Sequence, residues 1–358
     1  MDWSFYKGKS VLVTGHTGFK GSWLVRWLEN VGANVIGVSL NVPTNPSHYE
    51  ILKPKLKCED IRCDINDIEK LTNLFKKYQP DLVFHLAAQS IVRTSYSDPL
   101  KTFRTNAIGS INILQSAIQC EKIPAILMIT SDKCYQNKEW HYGYREIDEL
   151  GGDDPYSASK AAAEIMIKSF FKSFNSNSEN YLKMATARAG NVIGGGDWAP
   201  SRIVPDCIRA WSNNEKVSIH APYSTRPWQH VLEPLGGYLW LMEILFKENS
   251  EVNGESFNFG PFPSQDMTVG DLVIFLANEW GSEASYRFSK SKIKEAGLLK
   301  LNCDKANSLL NWKPVFSTVD TLEMTARWYK TYYSSSKEDI FKVTDSQINE
   351  AIKRLESI

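Results

Sequence analysis

The feature that most constrains the fold is a glycine-rich loop near the amino terminus. Residues 11–21, VLVTGHTGFKG, place Gly15, Gly18 and Gly21 between a strand-like run and a helical stretch, SWLVRWLENV. Glycines at such a junction let the chain turn sharply and let backbone amides approach a pyrophosphate, whose charge then lies at the positive end of the helix. An incidental tight turn is the alternative, but the order of strand, loop and helix favours dinucleotide binding.

The rest of the first half repeats this order. The runs SVLVT, NVIGVSL, DLVFHLA, AILMITS and LKMATAR are dense in apolar and β-branched residues, and amphipathic stretches such as DIEKLTNLFKKY separate them. Runs of this kind are typical of strands, and the stretches between them are typical of helices. The alternation predicts an α/β fold with a doubly wound, parallel Rossmann sheet that helices cover on both faces.

Beyond this region glycine, proline and tryptophan become frequent, as in GNVIGGGDWAP. We expect a dinucleotide-binding domain over residues 1–188, with a return of the chain near residues 231–262, where SFNFG is strand-like. A smaller, mixed domain is expected over residues 189–330. Residues 331–358 end in an apolar stripe at helical spacing and should form a helical tail that packs on the body.

Composition limits the function. The 358 residues hold 41 Lys and Arg against 41 Asp and Glu, with no long block of one sign. This argues against nucleic-acid and membrane-surface binding, and no segment approaches the roughly 20 apolar residues of a membrane span. Six scattered cysteines without zinc spacing argue against a metal and against a disulfide framework. The amino terminus lacks a signal-peptide pattern, so we expect a cytoplasmic protein with a small-molecule partner.

The dinucleotide is expected to be NAD. In simple NAD-binding loops an acid at the end of the second strand accepts hydrogen bonds from the adenosine ribose. Here that strand ends VSLN, with Ser39 and Asn41 in place of an acid. Asp64, after the third strand, is placed to accept from the adenine amino group, although a solvated turn aspartate is the alternative. The sequence offers no evident arginine cluster for a 2′-phosphate, which favours NAD over NADP.

A second motif carries catalytic residue types. The segment DDPYSASKAAAEIMIKSFF begins like a helix, and Tyr156 and Lys160 lie four residues apart on one of its faces. An ammonium group beside a phenol lowers the phenol pKa from roughly 10 toward neutrality, so Tyr156 is predicted to accept a proton. Ser131 lies 25 residues earlier, where a strand should end. Together the three side chains predict a site that holds a carbinol and deprotonates it while a nicotinamide takes its hydride.

Asp132 and Lys133 follow Ser131 directly in TSDKCY. A simple dehydrogenase or a 4-epimerase does not need them. Oxidation at C4 of a hexose acidifies the C5 hydrogen and allows the C6 hydroxyl to leave, so one proton donor and one base beside the ketone suit a loss of water. Asp132 would have to be protonated and Lys133 neutral, and burial favours both states. An ordinary ion pair in a loop is the alternative.

These motifs resemble those of a known family. The segments are VTGHTGFKGSWL, FHLAAQSIVRTSY, TSDKCYQNKEWHYGYRE, DPYSASK, ARAGNVIGGGDWAPSRIVPD, RPWQHVLEPLGGYL and NWKP. They are similar to the nucleotide-sugar 4,6-dehydratases of the extended short-chain dehydrogenase/reductases, and within them to the branch that acts on CDP-D-glucose. The resemblance implies a lyase that makes CDP-4-dehydro-6-deoxy-D-glucose by C4 oxidation, loss of water across C5 and C6, and hydride return to C6.

The resemblance also implies roles for individual residues. Ser131, Tyr156 and Lys160 would serve oxidation and Asp132 the departing hydroxyl, whereas Lys133 as the C5 base is a hypothesis. The expected NAD contacts, besides Tyr156 and Lys160, are Gly15, Gly18, Phe19, Gly21, Asp64, Ile65, Leu86, Ala87 and Ala88. The expected substrate contacts in the cleft and in the second, nucleotide-sugar-binding domain are Ser90, Asn106, Asn191, Arg202, Arg226 and His230. Helix capping by Asn106 and structural roles for Arg202 and His230 are alternatives.

Other functions stay open from the sequence. A 4,6-dehydratase or a 4-epimerase acting on a different nucleotide sugar is the nearest alternative, and Asp132 with Lys133 argues against the epimerase. A non-catalytic regulator that senses dinucleotides is more remote, because both Tyr156 and Lys160 are present. The small and apolar residues of SASKAAAEIMIKSFF suit the helix contact through which relatives dimerise, so a homodimer is expected.

Overall fold

The computed structural model describes residues 1–175, 181–247, 251–262, 267–282, 284–289, 298–334 and 336–358. Its strands in chain order are β1 Ser10–Thr14, β2 Asn34–Ser39, β3 Glu59–Arg62, β4 Leu82–His85, β5 Ala125–Ile129, β6 Lys183–Ala189, β7 Val192–Ile193, β8 Lys216–Ile219, β9 Thr225–Arg226, β10 Gln229–His230, β11 Ser256–Phe259, β12 Met267–Thr268 and β13 Ser285–Phe288.

The helices alternate with these strands through the first half of the chain. They are α1 Phe19–Asn30, α2 His48–Leu52, α3 Ile68–Tyr78, α4 Val92–Ser97, α5 Pro99–Phe103, α6 Gly109–Ala117, α7 Pro155–Phe174, α8 Ile203–Ser212, α9 Leu232–Phe246, α10 Val269–Trp280, α11 Asp304–Leu310, α12 Thr318–Ser334 and α13 Lys337–Glu356. One π-helical turn, Arg104–Ile108, joins α5 to α6, and short 3-10 turns lie at Trp3–Tyr6, Lys53–Lys55 and Asp132–Cys134. None of the described helices is both long and apolar enough to cross a bilayer.

Seven strands form one central sheet in the order β11, β6, β5, β4, β1, β2, β3, and every neighbouring pair in it is parallel. Side chains alternate across the sheet because successive residues of a strand point to opposite faces. In β1, Val11 and Val13 join one apolar core, while Leu12 joins the core on the other face. The doubly wound Rossmann class predicted from the alternating pattern is confirmed.

The two cores are closed by different helices. Trp23 of α1 and Leu239 of α9 belong to the core on one face, whereas Phe75 of α3, Ile113 of α6 and Ile167 of α7 belong to the core on the other. The inner strands β4 and β5 are buried along their whole length. They read as continuous apolar runs for this reason, since a parallel sheet has no solvated face.

The carboxyl-terminal half adds small sheets and helices at one end of the sheet. β7 pairs with β10 and β8 with β13 in parallel, and β9 pairs with β12 antiparallel. The last helix, α13, returns to the body: Ile348, Ala351 and Leu355 are buried in the core that includes α1 and α9. Arg26 of α1 holds it with a two-point ion pair to Asp345, over 2.7 Å at each contact.

Candidate active site

A cleft of about 2240 Å³ opens where the central strands end. Its walls include the loops that follow β1, β4, β5 and β6. The strands after β1 in the chain are added first on one side, as β2 and β3, and then on the other side from β4 onward, so the strand order reverses between β1 and β4. Ligands of doubly wound sheets bind at such a switch point, outside the carboxyl ends of the strands. The volume exceeds the roughly 300–1,000 Å³ of a single small-ligand pocket, so it has room for two ligands.

The glycine loop forms the floor of this cleft. Gly15 has φ +73°, and a Cβ there would lie 2.7 Å from the backbone nitrogen of Ala87. A Cβ at Gly21 would collide with the Gly15 carbonyl oxygen. Gly18 caps α1 without a side-chain hydrogen bond, so within the described residues no side chain satisfies the first amides of the helix, at Phe19 and beyond. This cradle fits the pyrophosphate of a dinucleotide.

His16 lies beside the end of β2, the strand end at which the sequence has no acidic residue. The His16 ring is buried against Gly37, and Nδ1 and Nε2 lie 2.9 Å from Ser39 Oγ and 3.0 Å from Asp60 Oδ1. Burial lowers the pKa of His16, although Asp60 opposes the shift. A chain of polar groups therefore runs from β3 through His16 to Ser39, at the cleft wall.

Asp64 and Ile65 were predicted to contact NAD, with Asp64 accepting from the adenine amino group. Asp64 is exposed in the cleft, and its carboxylate accepts hydrogen bonds from the backbone and side-chain nitrogens of Asn66 over 2.9 and 3.0 Å. The Ile65 side chain is buried and packs on Gly109. Asp64 therefore lies in a solvated turn, which was the alternative interpretation. Its carboxylate also borders the cleft.

The loop after β4 supplies the opposite wall. Leu86, Ala87, Ala88 and Ser90 border the cleft. The Ala87 amide donates to Thr14 Oγ1 over 3.2 Å, and this hydroxyl also lies 2.7 Å from Nδ1 of buried His85. The small side chains of the two alanines leave open space beside the glycine loop.

Ser131, Asp132 and Lys133 border the cleft at the end of β5. Ser131 and Asp132 are buried. Ser131 Oγ donates to Asp132 Oδ1 over 3.0 Å and accepts from the Lys133 amide over 3.2 Å. Burial raises the pKa of Asp132, and the lowering by Lys133, Ser131 and Lys20 does not cancel it. Burial therefore shifts Asp132 in the direction of the acid form that elimination would require.

Tyr156 and Lys160 reach the same space from the first turns of α7, which Asp154 caps by accepting from the amides of Tyr156 and Ser157 over 3.0 Å each. The prediction of a lowered pKa for Tyr156 is wrong. Burial raises the pKa of Tyr156 to about 12, and the nearby Ser131 hydroxyl only partly offsets it. Burial also lowers the pKa of Lys160 to about 8, which weakens the ammonium on which the prediction relied.

Three predicted substrate residues lie farther along the cleft. Asn191, Arg202 and Arg226 all border it. Arg202 Nη1 donates to Asp197 Oδ2 over 2.7 Å, and Arg226 Nη1 donates to the Thr225 carbonyl over 2.8 Å. A guanidinium carries five N–H groups in a planar fork, a geometry that suits a two-point contact with a diphosphate.

Comparison with known proteins places this geometry in a family. A profile described as GDP-mannose 4,6 dehydratase matches residues 12–325. The chain belongs to the GDP-mannose 4,6-dehydratase family. CDP-glucose 4,6-dehydratase of Salmonella typhimurium is 46% identical over 337 residues, which cover 93% of each chain.

Solved structures of similar fold include relatives of this dehydratase family. An epimerase of Methanothermobacter thermautotrophicus is 27% identical and has a TM-score of 0.77, covering 95% of this chain and 96% of its own. A dTDP-glucose 4,6-dehydratase of Streptomyces venezuelae, solved with NAD bound, has a TM-score of 0.77 at 22% identity, covering 90% and 97%. The two share the architecture described above.

Two residues predicted to contact substrate lie behind the walls. Asn106 is buried, and its amide donates to the Gln89 carbonyl and Ser159 Oγ while its oxygen accepts from the Gln89 amide, over 2.8–3.0 Å. It ties the loop after β4 to α7, so it neither caps a helix end nor faces the cleft. His230 is fully buried between Trp23 and Phe316, and burial lowers its pKa to about 3. It is a core residue.

Lys20 is a cleft residue that the motif analysis missed. Its ammonium lies 5.9 Å from the ring centre of Tyr238, and in the described part of the chain it has no hydrogen bond or ion pair. Burial lowers its pKa to about 8, with Arg202 and Lys160 adding to the shift and Asp132 opposing it. A lysine inside the glycine loop GFKG was the signal, since that loop borders the cleft.

The arrangement suits two linked reactions. Tyr156, Ser131 and Lys160 border the space where a carbinol would be oxidised beside the cradle for a dinucleotide. Asp132 adjoins Ser131 and burial raises the pKa of its carboxyl, so this group is placed to serve as the proton donor to a leaving hydroxyl in the same space.

Proposed function

We propose that this chain is a lyase that converts CDP-D-glucose to CDP-4-dehydro-6-deoxy-D-glucose in deoxysugar biosynthesis. The observation that carries the proposal is the pairing of Ser131 with a buried carboxyl at one cleft, 3.0 Å apart, since an epimerase has no use for the acid. The choice of CDP-glucose is supported by the 46% identity to the Salmonella typhimurium enzyme.

We propose NAD as the cofactor. The glycine cradle and the uncapped start of α1 would hold its pyrophosphate, and Asp64, Leu86, Ala87 and Ala88 would border the rest of it. Bound there, NAD would supply the hydride chemistry that oxidation at C4 of the sugar and reduction at C6 require. Lys160 would orient the ribose and favour the Tyr156 phenolate once its own charge is held beside the ligand.

The residues of the site would act in order. Tyr156 would take the proton of the C4 hydroxyl, which Ser131 positions by a hydrogen bond. Lys133, on the same turn, would take the C5 proton. Asp132 would protonate the C6 hydroxyl, which leaves as water. Arg202, Arg226, Asn191 and Ser90 would hold the nucleotide diphosphate along the outer cleft.

Incubation of the purified chain with CDP-glucose and NAD in deuterated water tests the proposal. The expected product is lighter by one water, carries solvent deuterium at C5 and has the former C4 hydrogen at C6. CDP-galactose in place of this product would mean a 4-epimerase. No reaction with CDP-glucose, but dehydration of dTDP-, UDP- or GDP-hexoses, would mean a dehydratase of different specificity.

We further propose a cytoplasmic homodimer. All six cysteines are unpaired thiols, and four of them are buried, which suits a reducing compartment. Ile108 at the start of α6 and Ile165 on α7 are exposed apolar side chains, 47% and 57% accessible, on the helices expected to meet. Sedimentation should give twice the chain mass, and Ile165→Glu should shift it toward the monomer.

A further inference from the structure

Residues 131–134, which we call the reaction turn, carry the three neighbouring residues of the proposed site that follow β5. Within the turn, the hydroxyl and the carbonyl of Ser131 accept from the amides of Lys133 and Cys134, over 3.2 Å each. A reaction geometry tolerates little error, since a displacement of about 1 Å can slow a reaction by about 10²-fold. A turn this short therefore needs its position against α7 to be fixed by residues outside it.

The residues on either side of the reaction turn are both bonded to one buried ion pair. Thr130 Oγ1, before the turn, donates to Oε1 of Glu164. Tyr135 Oη, after the turn, accepts from Nη1 of Arg188 over 2.7 Å. Arg188 and Glu164 bond to each other at two points, and their side chains are at most 3% exposed. Glu164 lies on α7, so the pair connects both ends of the turn to this helix.

The surroundings of the ion pair make it a rigid anchor. Burial of two charges is costly, because both lose their hydration, and a polar network is rigid only when its members are well bonded. Here the carboxylate of Glu164 also accepts from Thr186 Oγ1 of β6 over 3.0 Å. The guanidinium of Arg188 also donates to the carbonyl of Glu146 over 3.2 Å. The pair is thereby held to the central sheet as well as to α7.

We propose that this buried ion pair is a clamp that fixes the reaction turn against α7, with Thr130 and Tyr135 as its positioning residues. The clamp acts on the oxidation at C4 through Ser131, which follows Thr130 in the chain. The other two residues proposed for oxidation lie on α7, one and two turns before Glu164. In this role Thr130 and Tyr135 act through their neighbours and not on the substrate.

Thr130→Val removes the hydrogen bond to Glu164 and keeps the shape of the side chain, whereas Thr130→Ser keeps the hydroxyl. Stopped-flow absorbance follows reduction of the nicotinamide when CDP-glucose is added, and steady-state turnover gives kcat and KM. The clamp predicts that Thr130→Val slows this reduction and lowers kcat about tenfold or more, because the turn can then shift. The KM for CDP-glucose and the Kd for NAD should stay within about twofold of wild type, and Thr130→Ser should behave like wild type.

Thr186→Val is the matched control. Thr186 donates to the same carboxylate as Thr130, but it lies within β6 and not beside the reaction turn. Both substitutions to valine should lower the melting temperature, whereas only Thr130→Val should lower kcat. The clamp is overturned if Thr130→Val keeps its kcat, if Thr186→Val loses as much, or if Thr130→Ser is as slow as Thr130→Val.

Tyr135→Phe tests the other end of the clamp. It removes the hydroxyl that accepts from Arg188 and keeps the ring, which stacks on Tyr144 with ring centres 5.1 Å apart. Amide hydrogen exchange, measured with no nucleotide added, should be faster in the reaction turn of this variant and of Thr130→Val. It should stay at the wild-type rate there in Thr186→Val. Unchanged exchange in both clamp variants would overturn the clamp.

This inference rests on the proposed function, and the two measurements separate their failures. If wild type forms no dehydrated product from CDP-glucose, the proposed function fails, and the exchange measurement still decides whether the ion pair fixes the turn. If wild type turns over CDP-glucose and Thr130→Val matches it, the clamp is overturned and the proposed function stands.

Discussion

Arg188 and Glu164 form a buried two-point ion pair behind the proposed catalytic residues. Nε and Nη2 of Arg188 donate to Oε1 and Oε2 of Glu164 over 2.9 and 2.8 Å, and the two side chains are 3% and 2% exposed. Glu164 lies one turn beyond Lys160 on α7 and also accepts from Thr130 and Thr186. The pair therefore joins α7 to β6 and to the residue that follows β5.

Removal of one partner should be strongly destabilising. Glu164→Gln leaves the Arg188 charge buried without its counterion, so we expect the free energy of unfolding to fall by about 3–5 kcal/mol. Glu149→Gln is the control, because its pair with Lys138 is exposed on both sides and should contribute far less to stability than the buried pair. Urea unfolding of the three proteins measures both differences. Equal small losses would mean that the buried pair adds little to the fold.

Asp132→Asn should separate oxidation from loss of water. The amide keeps the size of the carboxyl but has no proton to give to a leaving hydroxyl, so dehydration should slow by about 10²–10⁴-fold. Oxidation at C4 does not use this carboxyl and should continue. Stopped-flow absorbance of the reduced nicotinamide, followed with product analysis, should show cofactor reduction without deoxysugar. Undiminished dehydration would remove Asp132 from its proposed role.

Much of the fold could be predicted from the sequence, because a strand that is buried on both faces of the sheet is a continuous run of apolar residues. The continuous apolar run of β5 predicted a strand, and the glycines of residues 15–21 predicted the turn into α1. The spacing of residues along the chain could not predict how deeply each titratable side chain is buried. Tyr156 and Lys160 both border the cleft, but the sign of the tyrosine pKa shift depends on burial, which their spacing does not show.

Side-chain direction was the second limit. His230 lies in a motif with Arg226, yet a short strand points successive side chains to opposite sides, and His230 turns into the core formed with α1. Asn106 lies within the π-helical turn, whose geometry turns its amide toward the Gln89 backbone. Neither orientation follows from the order of residue types along the chain.

Glu233 should make stability depend on pH. It is buried, and Oε1 accepts from the Val315 and Phe316 amides, the first over 2.9 Å. Burial raises its pKa from 4.5 to about 8, so the folded state holds a proton that the unfolded state loses between these values. This contribution to stability is complete below about pH 4.5 and is lost as the pH rises to about 8, with a slope of at most about 1.4 kcal/mol per pH unit.

Glu233→Gln isolates that contribution. The amide oxygen can still accept from both backbone amides, but the side chain does not titrate. The difference in unfolding free energy between wild type and this variant, measured by urea unfolding from pH 5 to 8, should move in favour of the variant as the pH rises. Buried His48, His85 and His230, with pKa values lowered to about 3, titrate equally in both proteins and cancel. A difference that does not vary with pH would mean that Glu233 is charged in the folded protein.

Gly21→Ala should weaken NAD binding far more than the same substitution at Gly8. A Cβ at Gly21 would collide with the Gly15 carbonyl oxygen and lie 2.8 Å from His16 Cα, so the glycine loop must shift to admit it. We expect the Kd for NAD to rise by more than about tenfold, since backbone amides lose their approach to the pyrophosphate. Gly8→Ala is the control: Gly8 has φ +76° but nothing within 4 Å of an added Cβ, so it should cost about 1 kcal/mol of stability and leave NAD affinity unchanged. Calorimetric titration with NAD compares the two, and equal affinities would mean that this loop does not hold the pyrophosphate.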